Sequence, residues 1–213
     1  MAIVICDAIW MYLQLNLAGS TSAELFAPSP LFLYYNARKS TGNENHNIPV
    51  SPSAAIAALE EFGVCPERSW RYDVTRWRDR PSQEAFNAAR CLCNISCEKL
   101  EQDIDLLIGS LTEGRPFWFC LRLYYSNMHK FDRGEIKCGE LLPRPEINEN
   151  PVRNHAMLAI GYDVATNSFE VRNSFGQEWG DSGHIWIPAD YMLNKASCYA
   201  FWHIKGLTFS PIY

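Results

Sequence analysis

Long apolar runs are scarce in this chain of 213 residues, although 47% of them are hydrophobic. The best candidate, MAIVICDAIWMYLQLNLAGS at residues 1–20, is interrupted by Asp7 and has no Lys or Arg ahead of its apolar stretch. It fits neither a secretory signal nor a membrane span, and is expected to be a buried helix. Basic runs are also missing. With 19 Lys and Arg against 24 Asp and Glu, the net charge is −5, which argues against nucleic acid and anionic membranes as partners. Paired CxxC elements are absent too, despite eight cysteines. Cys91, Cys93 and Cys97 have no matching second His/Cys pair nearby, so no metal is expected. Thiols spaced in this way read as free side chains in a reducing compartment, with the cytosol favoured. The sequon Asn94-Ile95-Ser96 would matter only on a secreted chain. There is no internal repeat and no low-complexity tract.

What is present divides the chain into two halves of one domain, mainly helical over 1–112 and mainly β over 113–213. In the first half a helix is expected over 7–17. Ser29-Pro30 and Ser51-Pro52 each offer an N-cap followed by Pro at the first helical position, before LFLYYNARK and SAAIAALEEF. Gly63 ends the second of these. Residues 37–50, with Gly42 and several Asn, read as a loop. CEKLEQDIDLLIGSL at 97–111 puts Leu100, Ile104, Leu107, Ile108 and Leu111 on one helical face. In the second half PFWFCLRLYY is rich in β-formers. A surface loop is expected from 126 to about 150, containing Gly134, Gly139, Pro143 and Pro145. Strands then follow at His155–Asp163, Phe169–Asn173, His184–Ile187 and Tyr199–Ile204, in an antiparallel sheet or small barrel.

Two polar residues stand out from that pattern. His155 opens an apolar strand and Asn173 closes the next, just before the Gly-rich loop Ser174-Phe175-Gly176. An imidazole that accepts and returns a proton needs a fixed tautomer and orientation, and a carboxamide bonded to one ring nitrogen supplies both. The missing partner is a nucleophile, best placed at a helix start where the dipole favours a thiolate. Cys6 directly precedes the expected helix at 7–17. Cys6 and His155 are 149 positions apart, and His155 and Asn173 are 18 apart.

With these residues in view, the chain resembles the papain-like cysteine proteases, whose His and Asn lie roughly 130–150 residues after the Cys. The likeness is carried by NHAMLAIGYD and VRNSFGQEWGDSGHIWIP, which mirror the family's Asn-His-Ala strand and Asn-Ser-Trp-Gly loop. PSPLFLYYNARK and SAAIAALEEFGVCPERSWRYD are similar to the compact members of bacteria, archaea and large DNA viruses. The resemblance implies an α+β, two-lobe papain-like fold with a helical lobe, a β lobe and a cleft between them. It implies a peptidase acting on peptide or isopeptide bonds without metal or organic cofactor, its partner being a peptide or protein substrate. Cys6 would be the nucleophile, His155 the acid/base and Asn173 the orienting residue. Val50, Ser51, Asn154, Phe175 and Trp179 would border the substrate, with Phe175 where the family has a shielding Trp. Val50 and Ser51 replace the family's open glycines. The family's oxyanion-hole Gln, six residues before the Cys, has no counterpart in this chain, which leaves the Cys6 backbone N–H as donor and implies reduced turnover. A catalytically impaired module that binds a peptide or protein is the alternative.

Overall fold

The computed structural model describes residues 1–17, 25–136, 142–143, 145–146 and 148–209. Gly139, named above, and Cys138, one of the eight cysteines, lie outside them. The chain divides into two compact units, Met1–Glu98 with Ile204–Tyr213, and Lys99–His203.

The first unit is built on three helices, α1 (Ala2–Leu17), α2 (Pro30–Lys39) and α3 (Pro52–Phe62). α1 starts five residues earlier than expected, so Cys6 lies inside it rather than ahead of it. Ile5, Ile9 and Leu13 follow the helical repeat and are fully buried. α2 packs on both α1 and α3. The caps are those expected: Ser29 Oγ accepts from Phe32 N–H and Ser51 Oγ from Ala54 N–H, each at 3.2 Å. A short helix α4 (Gln83–Ala89), capped by Ser82, follows.

The helix expected over 97–111 is a strand and a shorter helix. β1 (Leu92–Lys99) comes first, with Ser96 and Asn94 bonding Gly206 and Thr208 of β6 (Cys198–Phe209). α5 (Ile104–Thr112) then starts at Asp103, whose carboxylate accepts from the N–H groups of Asp105 and Leu106. The local cap and the pairing of β1 override the helical pattern. From α5, Leu107 is buried in the second unit's core, and Leu100, Ile104, Ile108 and Leu111 pack against it.

The second unit carries β2 (Phe117–Leu123), β3 (Arg153–Asp163), β4 (Ser168–Arg172), β5 (His184–Pro188) and the first part of β6. They are antiparallel in the order β6-β2-β3-β4-β5, an open sheet and not a barrel. Phe117, Phe119, Phe169 and Phe201 form its aromatic centre, with Phe119 and Phe201 stacked at 5.5 Å. Two helices of this unit were not expected, α6 (Tyr125–Arg133) and α7 (Ala189–Leu193), and neither was α4 of the first unit. α6 replaces the first part of the expected loop. Its signals are side-chain chemistry: Asn127 Oδ1 accepts from Tyr124 N–H at 2.9 Å, and Gly134 closes it in the left-handed region.

Candidate active site

In the first unit, α1 and the segment after α2 bear on the expected site. Cys6 sits in the second turn of α1 and is 2% exposed. The first helical hydrogen bond runs from Ile5 N–H to Met1 C=O at 3.1 Å, so the Cys6 N–H lies past the unladdered amides of the first turn. Its expected role as free oxyanion donor does not fit that position. Burial pushes the Cys6 thiol well above its ordinary value, and Asp7, Cys65 and Glu67 add to the rise. A depressed thiol was expected; desolvation outweighs the dipole here.

Val50 is half-buried, and the Ser51 hydroxyl is committed to capping α3. The stretch leading to them is clamped by a residue the sequence did not single out, Arg38. Arg38 is 1% exposed, and its guanidinium donates only to backbone carbonyls: Glu44 at 2.6 Å, His46 at 3.0 Å, Tyr34 at 3.3 Å, and Trp77. Tyr34 and Trp77 flank it at 4.1 and 5.0 Å from their ring centres. The Tyr34 hydroxyl adds bonds to Asn47 Oδ1 at 2.6 Å and Ile48 O at 3.0 Å.

In the second unit, antiparallel pairing of β3 with β4 brings His155 beside Asn173, as expected. His155 Nε2 and Asn173 Oδ1 are 2.7 Å apart. Asn173 Oδ1 also accepts from Ser174 N–H at 2.8 Å, and an amide oxygen cannot donate, so Nε2 carries the hydrogen. The lone pair of neutral His155 is therefore on Nδ1. Asn173 is 4% exposed and its own N–H donates to Gly183 O at 2.9 Å. Its Nδ2 is buried without a partner among the described residues.

Two rings flank the imidazole, and a third packs behind them. Phe131 lies 5.2 Å away edge-on and Phe175 at 5.0 Å, while Trp179 meets Phe131 at 5.0 Å. Trp179 Nε1 donates to Phe131 O at 2.5 Å. Phe131 comes from α6, in the stretch read as loop, and an amphipathic YSNMHKFDR ending at Gly134 was its available signal. Burial lowers the His155 pKa to about 4; the bond to Asn173 opposes this, and Arg153 adds to it. Asn154 is exposed at a position paired in register with Arg122. Phe175 is 47% exposed, whereas Trp179 is buried and serves as the platform of the loop. Gly180, with φ +59°, lets that loop close, because a Cβ there would stand 2.6 Å from His184 O.

Comparison with known proteins matches this pattern. The model of the papain family cysteine proteases matches residues 52–201, which hold His155 and Asn173 but not Cys6. An uncharacterised peptidase C1-like protein of Acanthamoeba polyphaga mimivirus is 26% identical over 191 residues, 86% of this chain. This chain spans 60% of that relative's length. Xylellain, a cysteine protease from Xylella fastidiosa, superposes with a TM-score of 0.82 at 29% identity, over 98% of this chain and 80% of its own. The bromelain protease from Ananas comosus, at 13% identity and a TM-score of 0.64 over 98% of this chain and 88% of its own, shares the fold. The match runs from α3 into the start of β6 and takes in the His–Asn pair and its glycine loop: the chain belongs to the papain family of cysteine proteases.

Proposed function

We propose that the chain is a cysteine peptidase that hydrolyses peptide or isopeptide bonds, with Cys6 as nucleophile, His155 as acid/base and Asn173 as the residue that orients it. The observation that carries the reading is the 2.7 Å contact between His155 Nε2 and Asn173 Oδ1, which leaves Nδ1 as the proton acceptor. In the reaction His155 Nδ1 takes the Cys6 proton and the thiolate sulfur bonds to the scissile carbonyl carbon. His155 returns the proton to the amine as the C–N bond breaks. It then removes a proton from water, whose oxygen displaces the thiolate and releases the acid. The raised thiol and lowered imidazole both favour neutral partners at rest. The ion pair therefore belongs to the substrate-engaged state, in which the thiol must be uncovered.

The burial of Cys6 favours a second reading, a papain-fold module that binds a peptide or protein partner without turnover. An epoxysuccinyl affinity reagent with adduct mapping, beside a fluorogenic peptide assay, separates the two. An adduct on Cys6 and turnover abolished by Cys6→Ala support the peptidase. Peptide binding with neither adduct nor turnover supports the module.

A further inference from the structure

A cavity of about 320 Å³ in the first unit takes no part in the site described above. Its cations are Lys39, Arg80 and Arg90, its apolar wall is Phe62 and Phe86, and Glu61 is the one acidic residue of its lining, beside Gln83. The wall is anchored: Phe86 meets the fully buried Phe32 edge-on at 5.0 Å and Phe62 at 6.0 Å. The cations are unspent. Among the described residues none of the three side chains makes an ion pair or a hydrogen bond, and the one contact among them is Lys39 over the Phe62 ring at 5.7 Å. Lys39 and Arg90 stand at the ends of α2 and α4, but the carbonyls there are already bonded to backbone N–H groups. Arg80 lies on neither helix.

We propose that this cavity docks an acidic segment of a protein partner, carboxylates meeting Lys39, Arg80 and Arg90 and an apolar side chain resting on Phe62 and Phe86. Charge complementarity selects the carboxylates. A long polyanion fits poorly, because the chain as a whole carries −5 and Glu61 borders the cavity. The aromatic wall favours a segment that mixes charge with one large apolar residue over a bare anion. α3 runs from this cavity, at Phe62, back to its cap Ser51; its 11 residues span about 16 Å. A docked segment thus lies one helix length from the Val50–Ser51 stretch. The docking stands whether or not the chain turns over substrate, since it uses none of the residues assigned to catalysis.

The test is fluorescence anisotropy with a labelled peptide of glutamates around a central phenylalanine, using the full chain. Binding should weaken as salt rises. The double variant Arg80→Glu, Arg90→Glu should lower affinity by roughly tenfold or more while thermal unfolding stays close to that of the parent. Replacing the phenylalanine by glycine should weaken binding as well. No binding, binding unchanged in the double variant, or stronger competition by inorganic phosphate or a DNA oligonucleotide than by the unlabelled peptide would each overturn the proposal.

Discussion

His155 is the residue whose surroundings say most about how the protein responds to pH. Its pKa of about 4 lies below the ordinary imidazole value, so between the two the unfolded chain binds a proton that the folded chain does not. Stability should be full above about pH 6.5 and decline as pH falls towards 4. Urea unfolding across that range should show an excess loss on the order of 3 kcal/mol in the parent over His155→Gln. Equal losses would mean the imidazole is not desolvated. Asn173→Asp gives the complementary prediction. A carboxylate accepting from Nε2 favours the imidazolium, so NMR titration should find the His155 pKa raised above its parent value. At Cys6 accessibility rules. In the resting protein iodoacetamide should alkylate the half-buried Cys93 before Cys6, as read by peptide mapping of the described thiols. Fast labelling of Cys6 at mildly acidic pH would instead reveal a thiolate that this burial does not allow.

At the level of elements, two tethers hold the stretches that flank the proposed chemistry. Arg38, on α2, bonds the carbonyls of Glu44, His46 and Trp77. Arg38→Met keeps the stem but strands those acceptors, and should destabilise the protein by about 2–4 kcal/mol in urea unfolding. A change below about 0.5 kcal/mol would show that water replaces the guanidinium easily. The second tether joins α6 to the glycine loop: Gly134 packs so closely that a Cβ would stand 2.8 Å from Gly180 N, and Trp179 bonds Phe131 O. Gly180→Ala strains a positive φ and collides with His184 O, so a loss of about 1–3 kcal/mol is expected, with a lower Tm by calorimetry. These tethers were not legible in the sequence. Arg38 reads as an ordinary last-turn cation, and its value comes from carbonyls six to 39 residues away.

On the scale of the whole molecule, the chain leaves the first unit at Glu98 and re-enters it at Ile204, within β6. β1 depends on that return for its partner. Residues 1–98 alone should therefore lack cooperative unfolding by circular dichroism, because they leave an unpaired edge beside an incomplete core. Within the second unit, β2 and β3 are flanked on both sides. Their amides should be the slowest there to exchange with deuterium, and those of the edge strand β5 faster.

By itself the sequence determined the fold class, the caps of α2 and α3, the strands around His155 and Asn173, and their pairing. The fold class rests on the resemblance carried by the His155 and Asn173 segments, and the others on local periodicity or on residues whose spacing the antiparallel register carries directly into space. It misread residues 97–99, 126–133 and the start of α1, where β6 pairing, an Asn127 cap and burial decided between patterns that short segments leave balanced. Only the tertiary structure decided the state of the groups. Whether a thiol is exposed, an imidazole desolvated or a guanidinium saturated depends on neighbours brought close by folding. Burial energies of several kcal/mol then outweigh what one helix end or one motif contributes.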